Sequence, residues 1–401
     1  MKLNTFGLMA ILLSATALPA VAGTLADMKP MKLRVASLYG PDNWFTTPME
    51  AYTARIEART EGKITFEYFY AGSLVPTKEM TSALGAGLFD FGFVLPSYEP
   101  AKFSVDEWQG SLAIPTNQNP ILEFATTALS HFEWTTGLEA HTNQFTQAGI
   151  QPVMPSFSIS GAYGLLCKSN NETLADMAGK RSRVAGSTWT GEAQNLGLTP
   201  VSLPITEVYQ AFQSGVIDCW MGHIADAGAN GVFDHGKYFN LGIGLTAYSQ
   251  ALYGFNKDTW DSFPEDVKDI IWDETAAYAA ELLQTALTQQ YTTAVTSTKN
   301  GVTYTIPDAE VMQKVQSYHD AVRAEAAHKA PADVKDAADQ VNRLEQTRQK
   351  WQARLEKDLG FGGDYDSWSS FISQNGQMPD FAPLKEIILN EIVLPYANKQ
   401  K

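Results

Sequence analysis

Arginine presents a planar fork of N–H donors that matches the two oxygens of a carboxylate through charge-assisted hydrogen bonds. Arg183 is the residue of this chain best placed to use that fork. It stands in Gly179-Lys180-Arg181-Ser182-Arg183-Val184-Ala185-Gly186, a short strand pattern that ends on glycine. Lysine would supply the charge without the fork. The competing reading is a structural ion pair with one of the 44 acidic residues. Aromatic side chains stand in the loops and strand ends that would face such an arginine: Trp44, Tyr98 and Trp108 upstream, then Phe157, Tyr163, Trp189 and Trp220. Each could equally be ordinary core. His223, close to Trp220, could also reach the same pocket. As a set they would wall an acid group with apolar surface, which suits an aromatic or otherwise hydrophobic carboxylate.

The elements that must position these residues read as alternating strands and helices. From 178 to 222 the punctuation by Gly and Pro predicts strand, helix, strand, helix, strand, half of a parallel α/β layer. Ligands in such layers sit beyond the carboxyl ends of the strands, which is where Arg183 falls. Upstream, strands at 32–37, 64–70 and 88–95 alternate with helices at 48–60 and 76–87, a second unit of the same class. Its loops at 40–45 and 96–98 would face the cleft. Extended chain near Pro155 and again from 241 to 255 predicts crossings between the two units. A helix over 264–300 carries a winding apolar stripe and is long enough to span both.

The stretch around Arg183 resembles the periplasmic solute-binding proteins of tripartite ATP-independent periplasmic (TRAP) transporters, the DctP-like family. There a Gly-Lys-x-x-Arg-Val strand precedes Glu-Val-Tyr-x-Ala-x-Gln-x-Gly-x-x-Asp. The matching residues are Gly179, Lys180, Arg183, Val184, Glu207, Val208, Tyr209, Ala211, Gln213, Gly215 and Asp218. A second block runs Ala71-Gly72-Ser73-Leu74, Glu79-Met80, Ala83-Leu84, Gly87 and Asp90, and the likeness extends over about three quarters of the chain. The resemblance implies a two-lobed clamp with hinge strands, in which Arg183 is the carboxylate-binding arginine. It also implies an ion-coupled membrane permease as partner and no catalysis. Two departures bear on the ligand. Many members carry Gly-x-Arg where this chain has Gly161-Ala162-Tyr163, and polar residues where Asp218 is followed by Cys219-Trp220-Met221-Gly222. Both remove polar groups, so the pocket is expected to be more apolar than one built for sialic acid or a short dicarboxylate.

Length and composition fit that expectation. The chain has 401 residues, 44% hydrophobic and 18% charged, with a net charge of −15 and no basic cluster, which excludes nucleic acid as a partner. Residues 1–22 read as a signal peptide cleaved after Ala22, placing the protein in the periplasm without membrane insertion. The expected division is lobe I over 23–155 plus 241–280, lobe II over 156–240 plus 281–330, and a helical extension over 331–401 that packs back over the lobes or forms a dimer contact. A monomer is expected. Cys167 and Cys219 either pair, as an oxidising compartment allows, or remain two buried thiols. The six histidines show no metal-ligand spacing, and no phosphate loop or nucleophile elbow is present, so neither metal nor cofactor is expected. Two other functions use the same elements: a receptor that presents ligand to a periplasmic sensor, and an enzyme acting on an organic acid through Asp90 or Asp218.

Overall fold

The computed structural model describes residues 23–158, 163–357, 359–361, 363, 365–374 and 376–400. The expected leader and the departure at Gly161-Ala162 lie outside them. Two mixed sheets organise the chain. The first has the order Ile64–Phe69, Met31–Ala36, Phe91–Phe93, Tyr253–Asn256, Ile150–Met154. Its first three strands are parallel, and Tyr253–Asn256 runs antiparallel to both of its neighbours. The second has the order Thr303–Tyr304, Tyr238–Leu245, Tyr163–Cys167, Cys219–His223, Arg181–Val184, Thr199–Ser202. Here Arg181–Val184 is parallel to both neighbours, in the register Arg183 to Val201 and Arg183 to Trp220.

The chain passes between the sheets along a two-stranded antiparallel bridge, Phe157–Ser158 with Ser249–Gln250. The first crossing therefore lies where Pro155 suggested. The second does not begin at Leu241. Residues 241–245 complete the strand Tyr238–Leu245 of the second sheet, and the crossing follows at Ser249–Gln250. Leu241 and Leu245 are apolar because that strand is buried, so composition alone did not separate the strand from the crossing. Cys167 and Cys219 face each other on adjacent antiparallel strands and form a disulfide.

A third link is the helix Glu265–Lys299, about 50 Å long at 1.5 Å per residue. On the first-sheet side it meets the helix Thr46–Arg59, where Arg55 and Arg59 both bind the buried Glu274. On the other side it meets Ile224–Ala229, so closely that a Cβ on Gly228 would come within 2.7 Å of Thr293. The extension folds back over the first-sheet side. Its helix Ala337–Lys357 lies on Pro120–Thr136, held by the buried pair Arg348–Glu123 at 2.9 Å and by Trp351 Nε1 donating to Glu133 at 2.7 Å. Its last segment, Leu384–Ile388 through Leu394–Gln400, packs on the long helix, with Tyr396 edge-on to Trp272.

Candidate functional site

Arg183 is 3% exposed and lines a cavity of about 60 Å³ between the two sheets. Its anchorage uses backbone rather than carboxylates. Nε donates to Leu203 O at 2.9 Å, Nη1 to Met221 O at 3.4 Å, and Nη2 to Tyr98 Oη at 3.2 Å. A guanidinium has five N–H donors. Among the described residues three are occupied, which leaves one N–H on each terminal nitrogen without a partner there. The neighbouring Arg181 is the one engaged in an ion pair, with Asp218 at 2.9 Å; the hydrogen bond from Arg181 lowers the Asp218 pKa. Asp90 is likewise paired, with Arg34 at 3.0 Å. Both carboxylates considered for catalysis are thus structural partners of arginine, and neither lines the cavity.

Apolar side chains such as Leu38, Phe45, Phe93, Leu95, Ile205 and Leu252 form most of the cavity wall, with the rings of Tyr39, Tyr98, Tyr163 and Tyr248 among them. Tyr98 Oη accepts from both Arg183 and Ile205 N, the latter at 3.1 Å, so a residue of the first unit joins two of the second. Tyr39 Oη donates to Asp226 Oδ1 at 3.1 Å, a second link of the same kind. The third is Glu107, which accepts from Ser187 N at 3.2 Å, from Ser187 Oγ, and from Gln250 Nε2 at 2.9 Å. Burial pushes the Glu107 pKa up despite these donors. Gly186 makes this approach possible: its φ is +85°, and a Cβ there would stand 3.0 Å from Glu107 Oε1.

Two titratable groups in the wall behave unlike their free counterparts. Desolvation lowers the His223 pKa to about 3, so the imidazole is neutral near pH 7 and adds no charge beside Arg183. Desolvation raises the Asp226 pKa to about 6, against the opposing effects of the Tyr39 hydrogen bond and the Arg183 charge. Asp226 is half-buried and lines the cavity.

Four of the nine residues expected at the site line this cavity: Arg183, Tyr98, Tyr163 and His223. Two stand just behind the wall. Trp189 stacks on Tyr163 at 5.0 Å and on Tyr248 at 5.8 Å, and donates Nε1 to Thr246 O. Trp44 packs 5.9 Å from His223. The remaining three lie elsewhere. Trp108 packs on Trp134 and donates to Ala326 O at 2.8 Å, in the cluster that seats the extension. Phe157, itself in the bridge, is edge-on to Phe132. Trp220 is sent by strand alternation to the sheet face shared with Phe239. Tyr39 and Asp226 were missed. Tyr39 begins a loop expected to face the cleft, whereas Asp226 lies three residues after His223 in an unremarkable helical stretch.

Two α/β units joined by crossing strands and a long helix, with a cavity between their sheets, have the architecture of the two-lobed periplasmic binding proteins. The pattern of the family described as bacterial extracellular solute-binding protein, family 7 (DctP), matches residues 40–329, and the chain belongs to that family. A solute-binding protein of Sulfitobacter sp. (strain NAS-14.1) is 24% identical over 286 residues, covering 68% of this chain and 80% of the relative. Among solved structures, DctP7, a Bordetella pertussis extracytoplasmic solute receptor binding pyroglutamic acid, superposes with a TM-score of 0.66 at 20% identity, over 80% of this chain and 99% of its own. A TRAP periplasmic solute-binding protein of Bordetella bronchiseptica, with bound (R)- and (S)-mandelate, gives 0.70 at 14% identity over 80% and 99%. One from Desulfovibrio salexigens, with bound orotic acid, gives 0.68 at 18% over the same shares. These likenesses show the fold, and the resemblance read from the sequence to TRAP solute-binding proteins holds. The family match ends at residue 329, before the extension. Among the described residues no helix is long and apolar enough to cross a membrane.

Proposed function

We propose that this protein is the periplasmic receptor of a TRAP transporter, which captures a compact organic acid through Arg183 and delivers it to the membrane permease for ion-coupled uptake. The observation that carries this reading is a buried guanidinium that lines the cavity between the sheets, is held by two carbonyls and a tyrosine, and keeps one donor on each terminal nitrogen unused among the described residues. Two charge-assisted bonds in that dry setting supply several of the roughly 8 kcal/mol that micromolar binding requires. The apolar wall favours a ligand with one acid group on a hydrophobic or aromatic body. Pyroglutamate, mandelate and orotate, bound by proteins of the same fold, are all compact ring-bearing acids.

In this reading Tyr98, Tyr163 and His223 contact the ligand with Arg183, while Trp189 and Trp44 shape the wall from behind. Lobe I is 23–155 plus the strand Tyr253–Asn256, and lobe II is built on the six-stranded sheet, with the bridge and the long helix as hinges. The ligand enters when the lobes part, and its contacts to both favour the closed form that the permease recognises. Replacing Arg183 with Lys keeps the charge and removes the fork. Affinity for the acid, measured by calorimetry, is expected to fall at least tenfold; an unchanged affinity would count against the assignment.

A further inference from the structure

We infer that Asp226 selects ligands by charge: the cleft takes acids that carry one carboxylate together with an N–H or O–H donor, and turns away diacids. This rests on the proposed role of Arg183 and says what the opposite side of the same cavity reads. Asp226 and Arg183 line one cavity from neighbouring elements of the second sheet, Asp226 on the helix that follows Cys219–His223 and Arg183 on the adjacent strand. Asp226 Oδ1 is occupied by Tyr39 Oη, at 3.1 Å. No hydrogen bond engages Oδ2 among the described residues, and Asp226 lines the cavity. Its orientation is therefore held from the first lobe while one oxygen stays available to a ligand.

The groups that face Asp226 reinforce this. Tyr39, Tyr98 and Tyr163 are phenols; burial raises the pKa of Tyr39 and of Tyr163, so both remain neutral donors. His223 is neutral near pH 7. Arg183 is the fixed cation among the described lining residues, and a ligand carboxylate consumes it. A second carboxylate would then meet Asp226 in a low-dielectric space with no cation left to offset it, which is the arrangement that like charges avoid most strongly. A neutral hydroxyl or amide N–H in that position instead donates to a carboxylate, a charge-assisted bond.

Three probes that differ in one substituent test the inference: phenylacetate with hydrogen, mandelate with hydroxyl, and phenylmalonate with carboxylate at the same carbon. Pyroglutamate and cyclopentanecarboxylate form a second pair, with and without the lactam N–H and carbonyl. Calorimetry is run at pH 8, where Asp226 is ionised, on the wild type, Asp226→Asn and Arg183→Lys. Asparagine retains an oxygen for Tyr39, and the Tm of the variant checks that it folds. The wild type is expected to prefer the donor-bearing acid of at least one pair by tenfold or more and to bind phenylmalonate at least a hundredfold more weakly than mandelate. In Asp226→Asn both gaps are expected to shrink at least tenfold. If Arg183→Lys weakens every acid but the ratios are the same in wild type and Asp226→Asn, Asp226 has no selecting role and the arginine reading stands. Phenylmalonate binding the wild type as well as mandelate overturns the inference in the same way. Failure of every acid to bind, or indifference to Arg183→Lys, removes the arginine reading and this inference with it.

Discussion

Tyr98 shows how much a single hydroxyl can carry when it sits between two lobes. Its oxygen accepts from the Arg183 guanidinium and from the Ile205 amide, so Tyr98→Phe leaves two donors without a partner in the closed form. An unsatisfied buried donor costs about 1–3 kcal/mol. The loss belongs to the closed state, so calorimetry should show ligand affinity reduced about tenfold or more while the Tm of the ligand-free protein moves little. A large fall in that Tm with unchanged affinity would show that Tyr98 serves the fold alone. The residues legible from sequence were those whose chemistry is unusual for a strand end. Arg183 is a cation where apolar residues prevail, and Tyr98 ends a loop that must follow a strand. Asp226 was not legible because an acidic residue in a short helix looks like any solvated one until the opposing Tyr39 is in place. Trp108 and Phe157 were misassigned because aromatic composition does not reveal which partner a ring faces. Trp220 sits in the strand that carries His223, and which face it takes depends on register.

At the scale of elements, the most buried ion pair that attaches the extension is Arg348–Glu123, set within an apolar seam. Glu123 accepts from Arg348, from the amides of Thr116 and Asn117, and from Thr127 Oγ1. Both charged side chains of the pair are about 5% exposed. Arg348→Met strands a buried carboxylate and is expected to destabilise the protein by about 3–5 kcal/mol in chemical unfolding. Arg348→Met combined with Glu123→Gln keeps an acceptor for the two amides and should recover part of that loss. An Arg348→Met variant as stable as the wild type would mean that the extension is held by packing alone. The helix Glu265–Lys299 was legible because its winding apolar stripe integrates over many residues. Glu139–Gln147 was not, since its buried face is partly polar: His141 pairs with Asp106 at 2.7 Å, where an apolar residue would have marked the stripe. The crossing at Ser249–Gln250 was blurred for a related reason, because buried strand and buried bridge share a composition.

For the molecule as a whole, closure depends on how nearly the lobes can meet at Gly186 and Glu107. Gly186→Ala would place a methyl group 3.0 Å from Glu107 Oε1 and force a side chain to φ +85° and ψ 178°, a region essentially restricted to glycine, at a cost of about 1–3 kcal/mol. Ligand affinity should fall by about tenfold, and small-angle scattering should show less compaction on adding ligand than in the wild type. Full compaction at unchanged affinity would place the contact outside the closing motion. The disulfide has a consequence of another sort. Cys167 and Cys219 are 52 residues apart, and the loop they tie holds the Arg183 strand and both helices after it. In the chain-entropy view a loop of this size contributes about 4 kcal/mol by restricting the unfolded chain. A copy made in a reducing cytoplasm would fold the Arg183 segment as an untied chain, so recombinant material should be routed through an oxidising secretory path before its binding is judged.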